Sequence, residues 1–154
     1  MRALENVWIY VDPVGPITDA LAAAIEVTRQ SGATLTLVGA IGRSEDPMFQ
    51  ASFGPRILRL VREDREARLR ELALVARASL PAGRVRSTML EGDVPWQCLA
   101  LHALERSPDL LVVPARGGPD GFDPVSHHLL RTCAVPIWSV HRGGRIGASA
   151  RPAA

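Results

Sequence analysis

Five short apolar, β-branched runs alternate with four stretches of helical periodicity, and this alternation leaves few folds open to the chain. Val7–Val11 is an apolar strand stopped by Asp12-Pro13, because proline fixes φ and has no N–H to continue a ladder. Ile17–Ser31 carries apolar residues at helical spacing and closes on Gly32, a residue that accepts the left-handed cap conformation. Thr34–Ile41 reads as a second strand, Gly42–Pro55 as a loop, and Arg56–Leu80 as a long helix ended by the Pro81-Ala82-Gly83 turn. Val85–Leu90 is a third strand. Asp93 then caps a helix through Arg106, with Pro95 in the first turn, where its missing N–H has no helical partner to lose. Leu110–Val113 is the most continuously apolar strand, as expected at a sheet centre. After a glycine-containing loop, Asp123–Thr132 reads as a helix and Val135–Val140 as a fifth strand.

Strands separated by helices pair in parallel through right-handed crossovers, so the expected architecture is α/β: one open, five-stranded parallel sheet with helices on both faces. Residues 1–141 form this domain, and the Gly-, Ala- and Arg-rich segment 142–154 reads as an unstructured tail. Pro136 cannot donate to a ladder, which places the fifth strand at an edge or at a dimer seam. In such sheets ligands bind beyond the carboxyl ends of the strands, near the point where strand order reverses. Here those positions are the turns after the first and fourth strands, Asp12-Pro13-Val14 and Ala115–Pro124.

Composition removes several functions. The chain has 18 basic residues, all arginine, so chemistry that needs a lysine, such as a Schiff base or a lysine-bearing phosphate loop, is excluded. A formal net charge of +2 gives no large phosphate footprint for nucleic acid. The apolar runs are far shorter than the ~20 residues of a membrane span. With no export signal in the opening residues, the chain reads as cytoplasmic, and Cys98 and Cys133 read as reduced, buried thiols.

The order of segments resembles the universal stress protein family. The likeness rests on the opening strand ending at Asp12, on Glu91-Gly92-Asp93-Val94-Pro95, on Ser107–Val113, and on Val125–Ile137, and it spans residues 4–141. The resemblance implies strand order 3-2-1-4-5, a part in stress survival, and a homodimer built by antiparallel pairing of the last strands, here Val135, Ile137, Trp138 and Val140. It also implies that members divide into ATP binders and others, the binders carrying Gly-x2-Gly-x9-Gly-Ser/Thr after strand four. In that pattern backbone amides and a helix N-terminus hold the phosphates.

This chain departs from the binding pattern. Pro114 stands in place of the first glycine; Gly117 matches the second; the loop is about four residues short and closes on Asp123-Pro124. Asp123 as N-cap occupies the amides that a phosphate would use and adds a like charge. At ~4 Å in a partly solvated site that repulsion reaches about 4 kcal/mol per unit charge, against about 8 kcal/mol for a micromolar affinity. The expectation is a member that binds no ATP in the usual manner, with no resident cofactor, and acts through dimerisation and protein contacts. The alternative is a rebuilt site for ATP, AMP or a less charged ligand on Asp12, Ala40, Gly117 and Ser126. A weaker alternative is a small hydrolase.

Other candidates carry less. His127 and His128 are adjacent, without a ligand at i+3 or i+4, so no metal site is expected. Ser126 lacks a nucleophile elbow, so no catalytic residue is assigned. The arginines of the long helix interleave with acids, and Arg59–Glu63, Arg62–Glu66, Asp64–Arg68 and Glu66–Arg70 stand at i,i+4, which predicts a salt-bridged solvent face. Trp8, Trp96 and Trp138 read as core or interface anchors.

Overall fold

A computed structural model describes residues 3–12, 15–42, 47–92, 95–115, 124–141 and 146–149; for residues 42, 47–55, 57–58, 92, 95–98, 124–126 and 146–149 only the backbone is described. The strands β1 (Asn6–Tyr10), β2 (Thr34–Gly42), β3 (Val85–Gly92), β4 (Leu110–Ala115) and β5 (Ile137–His141) form a parallel sheet in the expected order 3-2-1-4-5. The helices α1 (Thr18–Ser31), α2 (Pro47–Arg77), α3 (Pro95–Arg106) and α4 (Pro124–Thr132) link them.

Period-two alternation in the strands divides the core between two faces. Val7, Ile9, Leu35, Leu37 and Val112 point to α1 and α2, where they meet Leu21, Ala24, Leu69 and Ala76. Trp8, Tyr10, Val38, Leu111 and Val113 point to α3 and α4, where they meet Leu99, Ala103 and Leu129. Strands apolar on both faces are what a sheet with helices on both sides requires. The expected core role of Trp8 holds: it is buried. Among the described residues no helix is long and apolar enough to cross a membrane.

The structure differs from the reading of the sequence most at the start of α2, at the start of β5 and beyond β5. Helix α2 begins at Pro47, so most of the segment expected as a loop to Pro55 is helical. A proline is well placed at the first helical position, and Met48, Gln50 and Ala51 favour helix, outweighing the turn signal of Gly54-Pro55. Strand β5 starts at Ile137 instead of Val135, leaving Pro136 before the ladder, where its carbonyl accepts from the Leu111 amide at 2.9 Å. The third difference is at the C-terminus. Ile146–Ser149, inside the segment expected to be unstructured, forms a sixth strand, β6, antiparallel to β5 from Ile137↔Ser149 to Val140↔Ile146. Glycine- and alanine-rich composition argued against it, but the outer edge of β5 offers unpaired amides and carbonyls, and a short chain segment nearby satisfies them.

Candidate functional site

The cleft at the carboxyl ends of β1 and β4 is built from strand ends and one helix start. Asp12, just beyond β1, is 9% exposed, a buried carboxylate in contact with other groups. Ala40, near the end of β2, is buried. Parallel pairing holds β1 and β2 together up to Tyr10↔Val38, and the Val11 amide donates to the Val38 carbonyl at 2.8 Å, so Asp12 and Ala40 emerge side by side. These are two of the four expected binding residues. Gly117 lies outside the described residues, and of Ser126 only its place in the first turn of α4 is described. The Asp123 cap is likewise outside them, while Pro124 opens α4 as expected.

Pro114 is part of β4, one residue beyond where the apolar run suggested the strand would end, and it is buried. The Leu111 amide points to the β5 side, where it meets the Pro136 carbonyl. Alternation then turns positions 112 and 114 toward β1. The β1–β4 register ends at Ile9↔Val112, before Pro114, which has no N–H to carry it further. This explains how a central strand tolerates proline. It also means that, where β4 leaves β1, the cleft meets a pyrrolidine ring instead of a donor. A cavity of about 210 Å³ lies there, bounded by Pro114, Ala115 and Val140 on one side and by Pro16, Thr18 and Asp19 of the α1 start on the other. Helix α1 has Ile17 at its N-cap and no side-chain cap bond.

Three arginines of α2 reach the strand ends, a feature the sequence reading missed. Arg62 pairs with Glu91 of β3. Arg65 Nη1 donates to the Ala40 carbonyl of β2 at 3.0 Å, and Arg68 Nη2 donates to the Gly15 carbonyl after β1 at 3.0 Å. Positions i, i+3 and i+6 of one helix face thus tie α2 across three successive strand ends. Of the expected intrahelical pairs, Arg59–Glu63 forms at 4.0 Å, both partners largely exposed. Arg62 instead prefers Glu91, whose place beside it no local spacing could have revealed.

Elsewhere the candidates separate. Cys133 is buried, and that burial pushes its thiol above the ordinary value of 9.0, which keeps it protonated and unreactive. His127 is exposed and His128 half-buried on α4, each with interactions of its own. Among the described residues no group of three His, Cys, Asp or Glu is placed to hold a metal. Trp138 is half-buried against the α1–α2 core and Val140 is inside it, whereas Ile137 is buried in the α3–α4 core, against which Val135 packs.

The sequence profile of the Universal stress protein family matches residues 5–141. The chain belongs to this family. Solved structures agree on the fold. A universal stress protein from Lactobacillus plantarum superposes with a TM-score of 0.74 at 14% identity, covering 89% of this chain and 97% of that one. A universal stress protein in complex with cAMP gives 0.69 at 20% identity, covering 94% and 100%. One from Archaeoglobus fulgidus in complex with dAMP gives 0.62 at 16%, covering 88% and 97%. No curated protein matches the chain. At these identities the neighbours establish the universal stress protein fold, and β6 is an addition to its five-stranded order in this chain.

Proposed function

We propose that this chain is a cytoplasmic stress-response protein that acts through homodimerisation and protein contacts, without catalysis and without binding ATP in the usual manner. One observation carries the reading: the cleft wall at β4 is the buried ring of Pro114, facing a cavity of about 210 Å³ that also contains Asp19. Ligand pockets for small organic molecules run at ~300–1,000 Å³, and a triphosphate here finds no amide at position 114. It also meets the carboxylate of Asp19, which a polyanion must approach at a cost. The Ala40 carbonyl is already engaged by Arg65. Protein purified without added ligand, then denatured, is expected to release no purine absorbance; nucleotide released in proportion to protein would contradict the reading.

The dimer is proposed at the β5 end of the sheet, the end that carries Val135, Ile137, Trp138 and Val140. Strand β6 occupies that edge with Ile-Gly-Ala-Ser, a sequence of low strand propensity. A partner's β5, with Ile137, Trp138 and Val140, is a stronger occupant, so β6 yields to it in the proposed dimer.

A second reading has one feature in its favour. The first-turn amides of α1 lack a side-chain cap and open beside the cavity, next to the paired strand ends that bear Asp12 and Ala40. In this reading AMP or another less charged nucleotide is held by Asp12, Ala40, Gly117 and Ser126. A thermal upshift with AMP that Asp12→Ala abolishes would favour it over the first.

A further inference from the structure

At the amino end of the sheet, away from the cleft, the α3 side carries a second concavity. In-register pairing sets Trp8, Thr36 and Arg86 in one row across β1, β2 and β3, so the three share a face. Thr88, two residues on, belongs to the same face. Arg106, in the last turn of α3, closes the side. Together with Asn6 they bound a space of about 260 Å³, in which Trp8 is the nearly buried floor. No acidic side chain is among its lining residues. Among the described residues, neither Arg86 nor Arg106 makes a hydrogen bond or ion pair, whereas Arg29, Arg62, Arg65, Arg68 and Arg84 each do.

Two solvent-exposed guanidinium groups thus stand over a buried tryptophan floor with no carboxylate among the lining residues. Like charges converging on one pocket repel each other, and their neighbours here offer hydroxyls instead of a compensating anion. Solvent screens these exposed charges in the free protein, and a bound anion would replace that solvent with direct pairing. Each guanidinium offers a planar fork of donors, and the threonine hydroxyls add single donors from the sheet. A carboxylate has two oxygens to meet them; a phosphoryl group has three, spread tetrahedrally, which suits donors arriving from α3 and from the sheet. The volume, roughly nine waters' worth at ~30 Å³ each, takes a phosphoryl group with a short organic tail.

We propose that Arg86 and Arg106, with Thr36 and Thr88, form a binding site for a small phosphorylated ligand at the amino end of the sheet. The site is independent of the nucleotide question, because none of its residues belongs to the cleft at the carboxyl ends.

The test is a titration of the isotope-labelled full chain with inorganic phosphate at constant ionic strength, read at the arginine Nε–H resonances. Arg86 and Arg106 are expected to shift together along one saturable curve. Arg86→Gln and Arg106→Gln each weaken the affinity about tenfold, the worth of one charge-assisted hydrogen-bond pair. Arg86→Lys, which keeps the charge without the fork, weakens it less, and Arg59→Gln on α2 leaves it unchanged. Glycerol phosphate binding more tightly than phosphate identifies a phosphate ester as the ligand class; equal binding identifies the free ion. The proposal is overturned if no saturable shift occurs, if the shifts saturate at other residues, or if the double glutamine variant binds as well as the parent.

Discussion

Single side chains fix the distances on which the sheet and its helices depend. Arg84 donates from Nε to the Ala33 carbonyl and from Nη2 to the Thr28 carbonyl, both at 2.8 Å, so a cation closes the C-terminal end of α1. A positive charge there also meets the negative end of the helix dipole. Arg84→Ala is expected to lower stability by about 1–3 kcal/mol, read as a shift in the urea midpoint with an unchanged slope. Gly39 is explained by its neighbour: a Cβ at that position would lie 3.0 Å from Leu69 Cδ1 and 3.1 Å from Met89 Cε. Leu69 and Met89 thus pack tightly over β2 at this glycine, and a methyl group there requires both side chains to give way. Gly39→Ala is expected to cost about 1–3 kcal/mol from overpacking, and Leu69→Val in the same chain should recover part of it. Cys133 gives a pH-dependent case. Its folded thiol titrates above its unfolded value, so its contribution to stability is present below about pH 9 and is lost as pH rises further. Alkylation of Cys133 in the native chain at pH 8 should therefore be slow, becoming fast only in denaturant; fast native labelling at Cys133 would show the thiol to be accessible.

The elements show where local sequence decides and where it does not. Strands β1 and β4 are legible because Val7–Val11 and Leu110–Val113 are too apolar for any position outside a sheet centre. The start of α2 is not, because Gly54-Pro55 carries a turn signal that a long helix with Pro47 at its head overrides. The arginine ties of α2 are hidden for a different reason. The bonds Arg65–Ala40 and Arg68–Gly15 span 25 and 53 residues, while acids at i+4 offer equally plausible partners nearby. Likewise β6 has no strand signature of its own; the free edge of β5 creates it. This bears on assembly. Removing residues 142–154 uncovers β5, so the truncated chain is expected to dimerise at lower concentration than the full chain, measured by sedimentation. Equal or weaker association after truncation would place the dimer contact elsewhere.

At the scale of the whole molecule, strand order puts β1 and β4 at the centre of the sheet, and in open parallel sheets the carboxyl ends beside such a reversal of order are where ligands bind. Asp12 and Ala40 were legible there because strand ends are. The character of the cleft was legible only in part: the proline at 114 is in the sequence, but its orientation toward β1 and the cavity it shares with Asp19 depend on register. A fold that holds nucleotides in relatives bound to cAMP and dAMP thus presents, in this chain, a ring, a carboxylate and an arginine-engaged carbonyl. Calorimetric titration of the full chain with ATP and Mg²⁺ tests this account most directly: no saturable heat at micromolar concentration is the predicted result, and a stoichiometric micromolar isotherm that Asp12→Ala removes would contradict it.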